Sequence, residues 1–318
     1  MIKIDDPAFA RTLGEYNNFL KAWLGRRQNL KETQMGKYYL RHVDELLNIS
    51  SLQELKHAAD AFESKYTSKI TAWDGAAKKG KTQFGKFISM MEGYYRDFFG
   101  KAVDESMKRG AEKGKDMNVG MWLARRLGVT VCPYCNRHYT FSIMKAGTMP
   151  GIRPQFDHYY PKSRYPVLAL TLFNLIPACA DCNKVKGEGL LGMHPREHSF
   201  DSEGVRFRLA GVEMSDASGL WIDVPGGNRG SEICDHIRRL GLEELYQGHR
   251  DYVEEIIGRS KAYEAGYYGS LIQEFRGLGM TESEIDRMIW GTYIDAAEHG
   301  KRPLSKLTRD LLDDLGIT

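Results

Sequence analysis

Four of the chain's five cysteines fall in two Cys-x-x-Cys pairs, Cys132/Cys135 and Cys179/Cys182, and nothing else in the sequence limits the fold as tightly. A CxxC places two thiolates on one turn, and two such turns supply the four thiolates that tetrahedral zinc accepts. Here 43 residues separate Cys135 from Cys179, more than the ~15–20 of a compact zinc ribbon. The longer insert is tolerable, because loop closure adds only ~0.6 kcal/mol per doubling of length. A shared Zn²⁺ would pin the start of a small unit to its end, which suits an insert that cannot bury much core by itself. A closed four-thiolate site keeps no open coordination position, so this zinc is expected to be structural.

Two other readings of the cysteines stay open at this stage. They could be four unconnected structural thiols. Alternatively, Cys132-Pro133-Tyr134-Cys135 could be a redox pair, since CPYC resembles the thioredoxin-like and glutaredoxin-like motif. That motif needs a βαβ setting, whereas a hairpin-like segment and a second CxxC follow here. The fifth cysteine, Cys234, is expected to be a buried thiol.

The bulk properties exclude several classes. At 318 residues the chain can bury a sizeable core without disulfides. Its 42% hydrophobic and 27% charged content is that of an ordinary globular protein. A net charge of +3 is too small to establish a nucleic-acid partner. No apolar run approaches the ~18 residues of a membrane span, and the first residues lack the apolar stretch of a signal peptide. A cytoplasmic location is therefore expected, with no membrane partner and with reduced thiols free to hold metal.

Periodicity predicts a mainly α fold with a small α+β insert. Residues 1–120 read as helical. Asp6-Pro7 starts a helix with Phe9, Leu13, Tyr16, Leu20 and Trp23 on one face. Ser51 and Glu54 form a capping box, residues 74–82 a polar break, and Phe84 to Phe98 another amphipathic helix. Residues 121–203 are the loop-rich centre, 204–229 a small hairpin and connector, and 230–318 helical again, with Thr281 and Glu284 as a second capping box. The basic run from Lys101 to Arg126 is either a solvated face or a cradle for phosphates.

The centre also carries candidates for chemistry. The segment 156–187 reads FDHYYPKSRYPVLALTLFNLIPACADCNKVKG. Phosphodiester hydrolysis needs a base for water and a cation for the charge on the leaving oxygen. A histidine ordinarily titrates near neutrality, and His158 is the candidate base. Asp157 beside it is a hard oxygen ligand, and Asn183 offers an amide oxygen. One carboxylate and one amide suit Mg²⁺ or Mn²⁺, which keep several waters. Lys186 shares a helix face with Asn183 and is expected to meet a phosphate. Asn174 is expected on the second strand, bonding backbone across the loop and holding His158. Lys162 and Arg164 in that loop are further candidate phosphate contacts, and His138 is a candidate substrate contact.

Together, DHYYPKSRYP and NLIPACADCNKVKG resemble the HNH (ββα-metal) endonuclease superfamily in its zinc-knuckled form. The resemblance covers about residues 132–190. It implies a ββα-metal core with structural zinc set between the two helical regions, with Asp157, His158, Asn174 and Asn183 in the family's motif positions. A narrower similarity joins CPYC and this segment to LYQGHRDYV and KRPLSKLTRDLL. It is to HNH proteins of bacterial anti-phage systems, including the nuclease partners of ATPases in Septu-type and retron-associated systems. It implies a nucleic-acid substrate, DNA before RNA, and docking of the helical flanks on a partner ATPase or a second copy. No GxxxxGK[ST] stands in this chain, so it would not itself be the ATPase. The competing expectation is a catalytically silent zinc module that binds nucleic acid or a partner protein.

Overall fold

The computed structural model describes residues 1–4, 6–145, 149, 151–209, 219–262 and 265–317. The protein is mainly helical, with two small antiparallel sheets. Side-chain caps start several of the N-terminal helices. The series is α1 (Phe9–Leu24), α2 (Gln34–Arg41), α3 (Val43–Leu47), α4 (Leu52–Asp74), α5 (Gln83–Gly100) and α6 (Val119–Leu127). Ser51 Oγ accepts from Glu54 N at the head of α4, and Thr82 Oγ1 accepts from Gly85 N at the head of α5. The Glu54 carboxylate reaches back over the helix start and accepts from Ser50 N at 2.8 Å. Helix α1 starts at Phe9, two residues beyond Pro7. Tyr16, Leu20, Phe62, Phe84, Phe87 and Phe98 are fully or almost fully buried, as their helical spacing implies. Helix α6 crosses the expected boundary at residue 120 and packs on α1 and α5.

The central unit follows. Val131 bridges Tyr139 across the first cysteine turn, and Ile143 bridges Ile152 in an outward arm. Strand β1 (Gln155–His158) pairs antiparallel with β2 (Leu175–Ala178), Asp157 opposite Ile176 and His158 opposite Leu175. Helix α7 (Ala180–Lys186) leaves β2 directly, with Cys179 as its N-cap. Pro177 is tolerated because each strand of a two-stranded sheet has a free edge. All four residues of β2 are buried, and Phe156 of β1 packs on Phe99 of α5, ring centroids 5.5 Å apart.

Beyond it, β3 (Arg206–Leu209) and β4 (Leu220–Asp223) form the expected hairpin, whose connection at 210–218 lies outside the described residues. Six helices follow among the described residues: α8 (Asn228–Leu240), α9 (Leu242–Gln247), α10 (Arg250–Ala262), α11 (Ala265–Gly277), α12 (Glu282–Trp290) and α13 (Ser305–Asp314). The Thr281–Glu284 capping box is present at α12. No helix among the described residues is long and apolar enough to cross a membrane.

Several expectations are corrected here. Cys234 is exposed on α8. His194 is buried, stacked on Phe173 with ring centroids 4.5 Å apart. Much of the basic run is neutralised internally: Glu112 takes Arg125 and Arg126, Glu105 takes Lys108, and Glu15 takes Arg109. The phosphate cradle loses most of its charge this way. The helical flanks are also not where apolar side chains concentrate on the surface. Of eleven exposed large hydrophobics, five (Tyr139, Phe141, Ile143, Met149 and Ile152) belong to the central arm and none to residues 1–120, among the described residues.

Candidate functional site

The two CxxC turns meet. The sulfurs of Cys132, Cys135, Cys179 and Cys182 all lie within 4.8 Å of one another, and Cys135 Sγ is 4.0 Å from Cys179 Sγ. Ligands ~2.3 Å from one tetrahedral zinc lie roughly 3.8 Å apart, so this set could hold the ion with little movement. None of the four is in a disulfide. Backbone N–H groups of Arg137, Cys179 and Cys182 donate to Cys135, Cys132 and Cys179 sulfurs at 3.4–3.5 Å, which favours thiolates. Burial pushes the Cys132 thiol well up, while bonds from the Cys132 and Cys179 thiols pull Cys135 down. Four sulfurs this close, three of them on buried residues, cannot all ionise without a cation among them. The first turn is gripped from the far end of the chain. Asn136, in the left-handed region at φ 50°, donates to His299 O and accepts from Lys306 N, and Tyr246 Oη donates to Cys135 O.

Beside the knuckles, β1, α5 and α7 enclose a cleft of about 440 Å³. Asp157, His158, Asn183, Lys162, Arg153, Gln155, Tyr95, Glu92 and Glu188 are among its lining residues. Asp157 is 3% exposed; its Oδ2 accepts from Tyr134 Oη at 2.7 Å and its Oδ1 from Lys186 Nζ at 3.0 Å. Burial raises its pKa, and the Lys186 charge opposes that rise. Lys186 also donates to His158 O at 2.7 Å, and its side chain has no exposed surface. The expectation that Lys186 meets a phosphate is therefore corrected. Its stem crosses the unit from α7, and its ammonium is the counter-charge of Asp157.

His158 Nε2 lies 3.0 Å from Ala169 O. A carbonyl only accepts, so Nε2 carries the hydrogen and Nδ1 keeps its lone pair. Nδ1 has no hydrogen-bond partner among the described residues. Burial, then the Lys162 charge, lowers the ring's pKa to about 3, so it is neutral at pH 7. Tyr95 of α5 packs edge-on against the imidazole at 4.7 Å. Asn174 falls one residue short of β2, in a 3₁₀ turn. Its amide brackets Tyr160, accepting from N at 2.7 Å and donating to O at 3.0 Å, and also donates to Leu168 O. It thus fixes the loop that presents Ala169 O, without touching His158 itself. Asn183 donates to Gln155 Oε1 at 2.6 Å, which leaves its own carbonyl oxygen free of that contact. Arg164 is spent on Glu63 and Asp74, and His138 pairs with Asp181 outside the cleft. Lys162 lines the cleft, 3.9 Å from Glu92.

Sequence reasoning missed Tyr134, Tyr95 and Arg153. Tyr134 sits inside the CPYC itself, but nothing in that spacing aims it at Asp157. Tyr95 lies on a helix face that reads as core, and only tertiary packing turns its ring to His158. No protein-family model matches the chain, and no curated protein or solved structure is significantly similar to it.

Three histidines, His158, His194 and His236, are buried with lowered pKa values, desolvation being the first cause. Each stays neutral when folded, whereas the unfolded ring takes up a proton below ~6.5. Their contribution is thus fully present above pH 6.5 and declines as the pH falls towards the folded values, by up to about 1.4 kcal/mol per unit for each ring. Urea midpoints of zinc-saturated protein should therefore drop from pH 7 to pH 5. Equal midpoints would contradict the burial of these rings.

Proposed function

We propose that the protein is a metal-dependent endonuclease of the HNH (ββα-metal) type that hydrolyses nucleic-acid phosphodiester bonds in the cleft of Asp157 and His158. The single observation that carries this reading is the state of His158. It is a neutral imidazole in a cleft, held by Ala169 O through Nε2, with Nδ1 left to accept a proton. In the reaction, water forms the new P–O bond as its proton passes to Nδ1, and the bond to the leaving oxygen breaks. An anionic phosphate beside the ring raises its proton affinity from the low resting value towards the working range.

Asp157 and Asn183 would hold Mg²⁺ or Mn²⁺, which when bound supplies positive charge for the leaving and phosphoryl oxygens. The donor set fits, because each Asp157 oxygen keeps a lone pair beyond its one hydrogen bond and the Asn183 amide oxygen is available. The Lys186 charge beside Asp157 weakens cation binding. Affinity should therefore be low until a phosphate shares the site. The cysteine cluster ties α7, and with it Asn183, to the first turn.

The narrower similarity extends the proposal to a cytoplasmic effector of anti-phage defence that works with an ATPase or as a homodimer. The catalytically silent alternative has one observation in its favour: Lys186 already neutralises Asp157. Incubation of the zinc-loaded protein with labelled single- and double-stranded DNA and RNA separates the two. Cleavage that appears with added Mg²⁺ or Mn²⁺ supports the nuclease. Binding without cleavage under either ion gives the silent module.

A further inference from the structure

A second cleft of about 340 Å³ adjoins the first and shares one lining residue with it, Arg153. Its other walls come from the end of α5, the start of α6 and the arm: Ala102, Asp116, Met117, Asn118, Met121 and Lys145 among them. The guanidinium of Arg153 is fixed at the junction. Nη1 donates to Pro154 O at 2.8 Å, and the group lies 5.3 Å over the Phe156 ring. It rests on α6 at Gly120, where a Cβ would stand 2.7 Å from Nε. Arg109, Arg125, Arg126 and Arg164 each pair with a carboxylate, but Arg153 and Lys145 have no acidic partner among the described residues. One N–H of Arg153 is used within the described residues, and the side chain, which lines both clefts, keeps further donors of the kind that match a phosphate.

We propose that this second cleft binds the nucleotide adjoining the one that is cleaved, with Arg153 on the phosphate between them. The inference rests on the nuclease reading and deepens it with a second subsite, so that the strand is gripped on both sides of Arg153. Met117 and Met121 offer an apolar wall to a sugar or base. Asp116 offers an acceptor for an exocyclic amine, and Lys145 a second cation at the rim. A separate mononucleotide would bind one cleft and forgo the other.

The test is equilibrium binding of a short fluorescein-labelled oligodeoxynucleotide by anisotropy, across a KCl series and without added divalent metal. Arg153→Met should weaken binding about tenfold and reduce the log–log salt slope by about one. Gly120→Ala, which keeps the charge but pushes the guanidinium off its seat, should weaken binding in the same direction. Lys145→Ala, at an exposed position where folding is not at stake, should do so to a smaller extent. Wild-type affinity and slope in Arg153→Met and Lys145→Ala together, or no binding by the wild type, would overturn the proposal. A wild type that binds in this way but cleaves nothing with Mg²⁺ or Mn²⁺ would sink the nuclease reading while upholding the two-cleft grip.

Discussion

His158→Ala is expected to slow phosphodiester cleavage by roughly 10²–10⁴-fold, the usual range for losing a positioned general base. The expectation follows from one hydrogen bond. Ala169 O holds Nε2–H, so the ring cannot turn its other nitrogen away from the cleft without stranding a buried donor. Because the ring is neutral at pH 7, the whole population is competent to take a proton. His158→Gln retains volume beside Tyr95 and serves as the control for packing. Both variants should keep their zinc and their far-ultraviolet dichroism, while single-turnover rates fall together. If His158→Gln cleaves at the wild-type rate in a preparation free of contaminating nuclease, the base lies elsewhere.

Replacing one knuckle cysteine should have the largest effect on stability. Structural zinc in small sites contributes about 10–16 kcal/mol of apparent binding free energy near pH 7, against the 5–15 kcal/mol that holds a typical domain together. Cys182→Ser should therefore lose the ion and release α7 from the first turn. The damage should reach the C-terminal helices, because Asn136 and Tyr246 fasten them to that same turn. In hydrogen exchange, α13 and α7 should lose protection together. The N-terminal helices, with their own aromatic core around Phe62, Phe84 and Phe98, should be affected least. A Cys182→Ser protein with one tightly held zinc and unchanged protection in α13 would refute the role given to the knuckles.

What the sequence made legible was local chemistry and spacing. Cys-x-x-Cys fixes two sulfurs on one turn, so convergence of the pairs was readable before any fold. Ser51, Thr281 and the period of Phe84 to Phe98 likewise place helices by rules that act within a few residues. What stayed hidden depends on neighbours distant in the chain. Lys186 lies on the same short helix as Asn183, yet its length carries its ammonium under β1 to Asp157, and no periodicity foretells which long side chain will be drawn inward. Arg164 looked free until α4 brought Glu63 and Asp74 to it. Cys234 was assigned to the interior because cysteine usually is, whereas α8 turns that face to solvent. Arg153 drew no notice, since its importance comes from Gly120 leaving room on α6 and from two clefts meeting at its head group.

The most direct test of the central claim is a Mn²⁺ titration of oligonucleotide cleavage by wild-type protein and Asp157→Ala, each shown beforehand to hold one zinc per chain. The account predicts no cleavage without the added ion, a rate that rises with Mn²⁺ in the wild type, and loss of that response in Asp157→Ala at unchanged zinc content. Cleavage that ignores Mn²⁺, or an Asp157→Ala protein with the wild-type response, would contradict it.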